Sequence, residues 1–323
     1  GTFELLVKDI QELITSPSLV FIDGQGIGRL TIGTGNGKIL FYDEAAGNPN
    51  LIDSFKIDTT NIIKQISASG DYFAFITESK LVSNPPSSLT LFYDNQGYTY
   101  SFASELPFRI ATTKNQSGIN SSIVLVTGNK FYTIESGAAV AEFSIPGSDT
   151  IHSFALTDLK QDGTNYIALN NVNNIEVYNL TGAIADNFPF TDPEGIGFVG
   201  TPLTADFEGD SKSEIISVTK DGRIFAIDGG TGKVVPGFPI SCGGSVSVTP
   251  VLYNANGKTN LLVLNDQNVL SAWSISSVEG KLYWSEEYGN PQNTSFVDAA
   301  ENTNRINEFF PSSRAYNYPN PVY

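Results

Sequence analysis

The chain has 323 residues, 40% of them apolar and 11% aromatic, enough side-chain bulk for a packed core and too much for a disordered chain. Eighteen Lys and Arg stand against 34 Asp and Glu, a net charge of −16 that repels phosphate backbones and anionic bilayers, so no nucleic acid partner is expected. No apolar run approaches the roughly 18 residues that a membrane span needs, and the single cysteine, Cys242, has no intrachain disulfide partner and reads as a buried, inert thiol.

In chain order, Phe3–Val7 is a short strand-like run, and Val7–Leu13 offers at most a turn or two of helix. Leu30–Asp43 then pairs two alternating runs across Asn36-Gly37, a hairpin signal because Gly supplies the positive φ that such turns need. Tyr72–Asp94 repeats the plan with Pro85-Pro86 in a lengthened hairpin, and Ile123–Glu135 repeats it again. Tyr166–Asn179 turns at Asn173-Asn174 and leads to Phe188-Pro189. Glu214–Asp228 is the clearest copy, turning at Asp221-Gly222 and leading to Phe238-Pro239; Leu261–Trp273 is the last.

The residues that close these hairpins are Asp43, Asp94, Glu135, Asn179, Asp228 and Ser274, spaced by about 41 to 51 residues, the period of a propeller blade. Radial repetition protects the edges that an isolated sheet would expose. The sequence therefore predicts an all-β fold, a β-propeller of six or seven four-stranded antiparallel blades. Repeats lie near 19–58, 59–110, 111–147, 148–190, 191–241 and 242–290. A seventh blade would be assembled from the ends, with Phe3–Val7 as one strand. A sandwich or a two-domain β protein, the competing folds, would show irregular spacing. Residues 1–290 are assigned to the propeller and 291–323 to a polar, turn-rich tail.

Side chains for catalysis are scarce. The only histidine, His152, precedes a strand-like run and is assigned to a blade core, so no base serves a Ser or Cys nucleophile. Gly24–Gly28 lacks the strand-to-helix context of a phosphate cradle. Paired carboxylates exist, which leaves a polysaccharide lyase or glycosidase as an alternative reading.

The segment Ala205–Ile215 is the most informative. Asp206, Glu208, Asp210 and Glu214 stand at relative positions 1, 3, 5 and 9, and alternate carboxylates on a tight loop can converge on a hard cation, which takes roughly six to eight oxygens. This loop resembles the calcium loop of FG-GAP (integrin α-type) propeller repeats, placed between the first and second strands of a blade. The resemblance implies Asp206, Glu208, Asp210 and Glu214 as side-chain ligands of a structural Ca²⁺ and Lys212 as a backbone ligand. It departs from the family pattern at Ser211, where Gly is usual, and in its two glutamates. Thr157–Ile167 has the same skeleton, but Lys160 and Tyr166 replace ligand positions, so it reads as a turn that kept its shape and lost its metal. Asp23–Gly26 and Asn254–Gly257 are poorer matches.

At the other end, Tyr283–Phe296 resembles the terminal strand and exit of propellers in secreted bacterial proteins, and Arg314–Val322 is similar to the opening of a type IX secretion sorting domain. No leader is visible at Gly1, so either the chain is cytoplasmic or Gly1 is a mature or trimmed start. These resemblances imply a secreted or outer cell-surface protein that binds a protein or glycan partner at its blade loops. A second reading makes the chain an accessory subunit of a larger envelope complex.

Overall fold

Runs of apolar and β-branched residues, interrupted every few positions by Gly, Asn or Asp, suit short strands joined by tight turns. The structure, a computed structural model, describes residues 10–298 apart from 24, 46–47, 71, 82–86, 94–95, 104, 115–117, 127 and 148–150, and these contain strands but no helix. Phe3–Val7, Pro85-Pro86, Asp94 and the segment Arg314–Val322 lie outside the described residues.

Six sheets follow one another along the chain. The first contains β1 (Leu19–Ile22), β2 (Gly28–Gly33), β3 (Lys38–Ala45) and β4 (Asn48–Lys56). The second contains β5 (Asn61–Ser69), β6 (Tyr72–Ser79), β7 (Ser87–Tyr93) and β8 (Gln96–Phe102). The third contains β9 (Pro107–Lys114), β10 (Asn120–Val126), β11 (Lys130–Glu135) and β12 (Ala138–Ser144). The fourth contains β13 (Ala155–Asp158), β14 (Asn165–Asn171), β15 (Asn174–Asn179) and β16 (Phe190–Thr191). The fifth contains β17 (Phe198–Asp206), β18 (Glu214–Thr219), β19 (Arg223–Asp228) and β20 (Ile240–Ser241). The sixth has three strands, β21 (Val251–Ala255), β22 (Lys258–Leu264) and β23 (Leu270–Ser274). Within each sheet these strands run antiparallel in sequence order, so every sheet is a meander and the chain folds as a β-propeller.

The first strand of each sheet lies innermost. Side chains tie these inner strands together: Gln65 of β5 exchanges two 3.0 Å hydrogen bonds with the backbone of Ile110 in β9, and Thr204 Oγ1 of β17 donates to Leu156 O of β13 at 2.9 Å. Apolar residues fill the spaces between neighbouring sheets. Phe75 and Ile66 pack towards Leu19 and Ile39, Leu89 and Leu91 towards Val124 and Ile134, and Phe131 towards Phe154. Ile175 and Val177 pack towards Ile215 and Phe225, and Val218 and Ile224 towards Leu252 and Leu261. Among the described residues, no such cluster joins the sixth sheet to the first.

The chain after β23 corrects two expectations. Tyr283–Phe296 is not one terminal strand with an exit, and strand pairing with the sheets continues past residue 290. Instead β24 (Lys281–Trp284) pairs with the inner edge of β17, and β25 (Phe296–Asp298) pairs in parallel with the inner edge of β9. Residues 281–298 thus form a strap in the middle of the ring, with Tyr283, Trp284 and Val297 buried in the core between the third and fourth sheets. The strap is held by inner-strand hydrogen bonds that no local sequence pattern announces.

His152 is the other correction. It is exposed, because its neighbours Ile151 and Phe154 take the core positions ahead of β13. Cys242 is buried.

Candidate metal centre

Asp206 ends β17 and Glu214 begins β18, and the last rung of their ladder pairs Ala205 with Glu214. Residues 207–213 therefore form a connection between the first and second strands of the fifth sheet. Gly209 and Ser211 take positive φ values of 75° and 69°, and Gln161 and Gly163 take 49° and 80° at the matching places of the fourth-sheet loop. The two loops share a backbone path, with glycine at one left-handed position in each. Ser211 accepts there the conformation that glycine adopts at lower cost.

The shape is set by carboxylates that accept from their own loop. Asp206 Oδ1 takes the N–H of Gly209 (2.6 Å) and of Asp210 (3.2 Å), while Oδ2 takes the N–H of Ser211 (3.1 Å) and the side-chain amide of Gln161 from the neighbouring loop. Asp158 does the same job one sheet earlier, accepting from Asp162 (3.1 Å) and Gly163 (2.9 Å). Such turns need no metal to form. The two loops are also bolted together: Ser213 Oγ donates to Asp158 O at 2.7 Å and Ser213 N to Leu159 O at 3.1 Å.

The arrangement at Asp206 goes further than a turn. Oxygens of Asp206, Asp210 and Glu214 all lie within 4.8 Å of one another. Glu214 has no solvent exposure; its Oε2 accepts from Phe207 N (2.9 Å), and its Oε1 is buried without a hydrogen-bond partner. A buried, half-satisfied carboxyl is costly as an anion. Burial, followed by the nearby Asp206 and Glu208, pushes the Glu214 carboxyl up to about 8. A buried carboxyl with an orphaned acceptor, close to two further carboxylates, suits a cation or a proton, so the donor set of Asp206, Asp210 and Glu214 fits a hard divalent ion.

The remaining two candidates are placed differently. Glu208 is exposed and falls outside the three-carboxylate cluster. Its side chain borders a groove of about 250 Å³ whose other walls include Phe207, Pro236, Phe238 and Ile275. Burial, then Asp210, Asp228 and Asp206, raise its carboxyl above the usual range. Lys212 turns its ammonium onto Asp210 Oδ2 at 3.0 Å, so its side chain is a counter-charge at the rim. Asp23, a poorer match in sequence, is satisfied by Gln25 N, Ile27 N and Arg29 Nε, each at 2.9 Å, and keeps its carboxylate for that turn.

The fold defines the chain as a β-propeller. No protein-family model matches it, and no curated protein is similar to it in sequence. Solved structures do match in fold. A structure of BBS1N in complex with ARL6DN aligns with a TM-score of 0.52 at 11% identity, covering 86% of this chain and 85% of that one. Sqt1 from Chaetomium thermophilum aligns with a TM-score of 0.56 at 15% identity, covering 76% of this chain and 66% of its own. Both are β-propellers, and at these identities the likeness is one of fold.

Proposed function

We propose that the chain is an FG-GAP-type propeller, secreted or held at the outer cell surface, that binds a protein partner through its inter-strand loops without catalysing a reaction. The observation that carries this reading is the filled ring. Residues 281–298 take up the inner edges of β9 and β17, so the surface left for recognition is the set of loops at the two ends of the sheets. One structural neighbour, BBS1N, is a propeller solved with a protein partner, which supports a protein as the partner class.

In this reading Asp206, Asp210 and Glu214 hold a calcium ion, with the Lys212 carbonyl as a further ligand and Glu208 at the edge. The ion supplies charge compensation for three carboxylates and stiffens one loop. That loop then sets the position of its neighbour through Ser213. The role is structural.

Thermal melts test the metal, since an ion that binds only the folded chain stabilises it by mass action. Calcium should raise the midpoint by several degrees over a chelator control. Asp210→Ala should abolish that rise, whereas Asp162→Ala should leave it intact. An unchanged melting curve removes the ion from this reading, and turnover of any member of a polysaccharide panel overturns the non-catalytic role.

A further inference from the structure

The strap carries a partly buried ion pair. Glu287 projects from it, and its carboxylate meets the guanidinium of Arg109, the hydroxyl of Thr201 at 2.7 Å and the hydroxyl of Thr249. Arg109 belongs to β9 of the third sheet, Thr201 to β17 of the fifth, and Thr249 to the lead-in of the sixth. Ser153, in the lead-in to the fourth sheet, completes the ring by accepting from Arg109 at 3.0 Å and lying 2.6 Å from Thr201 Oγ1. Arg109 is only 9% exposed, and its guanidinium also stacks over the ring of Tyr288, 4.4 Å from the centroid.

Four sheets thus contribute donors or supports to a single carboxylate. A buried guanidinium without a counter-ion is expensive, and its N–H donors suit a carboxylate. The same strap also spans the junction of the sixth sheet with the first, which among the described residues lacks a shared apolar cluster. On one side Val20 N of the first sheet donates to Gln292 O at 2.9 Å, and on the other Leu252 N of the sixth donates to Ser285 O at 2.8 Å. Beyond Gln292 the strap continues to the second and third sheets, where Ala68 N donates to Thr294 O (3.2 Å) and Thr112 N to Ser295 O (2.8 Å).

We propose that Arg109, Thr201 and Thr249 form a carboxylate-binding cradle at the propeller axis, filled in cis by Glu287, and that this latch locks the strap that ties the sixth sheet to the first. The cradle's chemistry is that of a small monocarboxylate site. The Glu287 side chain is 40% exposed, so the position is open to a free anion once the native carboxylate is removed.

The test is chemical rescue in the full chain. Glu287→Ala should lower the melting midpoint by several degrees, and acetate or propionate should restore part of that loss. Chloride at equal ionic strength should not, and neither wild type nor the Arg109→Lys/Glu287→Ala double variant should gain from acetate. Equal acetate shifts in all three proteins, or no shift in a folded Glu287→Ala, would overturn the cradle. If Glu287→Ala does not fold, Glu287→Gln and Thr249→Val replace it in a double-mutant cycle. Losses that fall short of additive support the latch, and strictly additive losses refute it.

Discussion

Glu214 shows how one side chain couples the loop to its surroundings. Unfolded, its carboxyl has the ordinary value of 4.5; folded, burial holds it at about 8. Between those values the folded chain keeps a proton that the unfolded chain has released, so the contribution of this group to stability falls as pH rises from about 4.5 to about 8. Each pKa unit corresponds to about 1.4 kcal/mol. In chelator, wild type should therefore lose stability across that window, and Glu214→Gln should flatten the slope, as read by denaturant melts at a series of pH values. An identical slope in the variant would assign the pH dependence elsewhere. The alternation of acidic residues at 206, 208, 210 and 214 was visible in the sequence. That Glu208 turns away while Glu214 is sealed was not, because it depends on β17 and β18 closing over residue 214 and on the groove beside Phe238.

The hairpin is the element that the sequence exposed best. Asn36-Gly37 and Asp221-Gly222 each put Gly at positive φ, 67° and 85°, between the second and third strands of a sheet. A second constraint is tertiary. A Cβ on Gly37 would stand 1.9 Å from Asp58 O, and one on Gly222 would stand 2.0 Å from Gly244 O, carbonyls of the loops that lead to the next sheet. The same approach creates a bond, since Cys242 N donates to Gly222 O at 3.0 Å and Ile57 N to Gly37 O at 2.9 Å. Gly222→Ala must relieve both the conformation and the clash, and is expected to cost about 2 kcal/mol or more in urea unfolding. A loss below about 0.5 kcal/mol would mean that the turn is free to move. The strap was the element least legible. β24 and β25 are four and three residues long, their partners lie far away in sequence, and Glu286-Glu287-Tyr288-Gly289-Asn290-Pro291 reads locally as an exit loop. Its fixing contacts, Thr201 and Thr249 on Glu287 among them, leave no trace in local periodicity.

For the whole molecule, the regular spacing of six hairpins was sufficient to anticipate radial sheets, because each sheet needs neighbours to cover its two faces. It did not tell how the ring is held. A chain ending at Gly280 retains all six sheets but loses β24, β25 and the Glu287 latch. Calorimetry on such a chain should show a broad, multi-step transition at a lower temperature than the single transition expected of the full chain. One sharp, unshifted transition would mean that the sheets cohere without the strap.

The fastening that completes the ring is encoded after everything it fastens. While the polypeptide is being made, all six sheets leave the ribosome before the strap that draws the sixth towards the first.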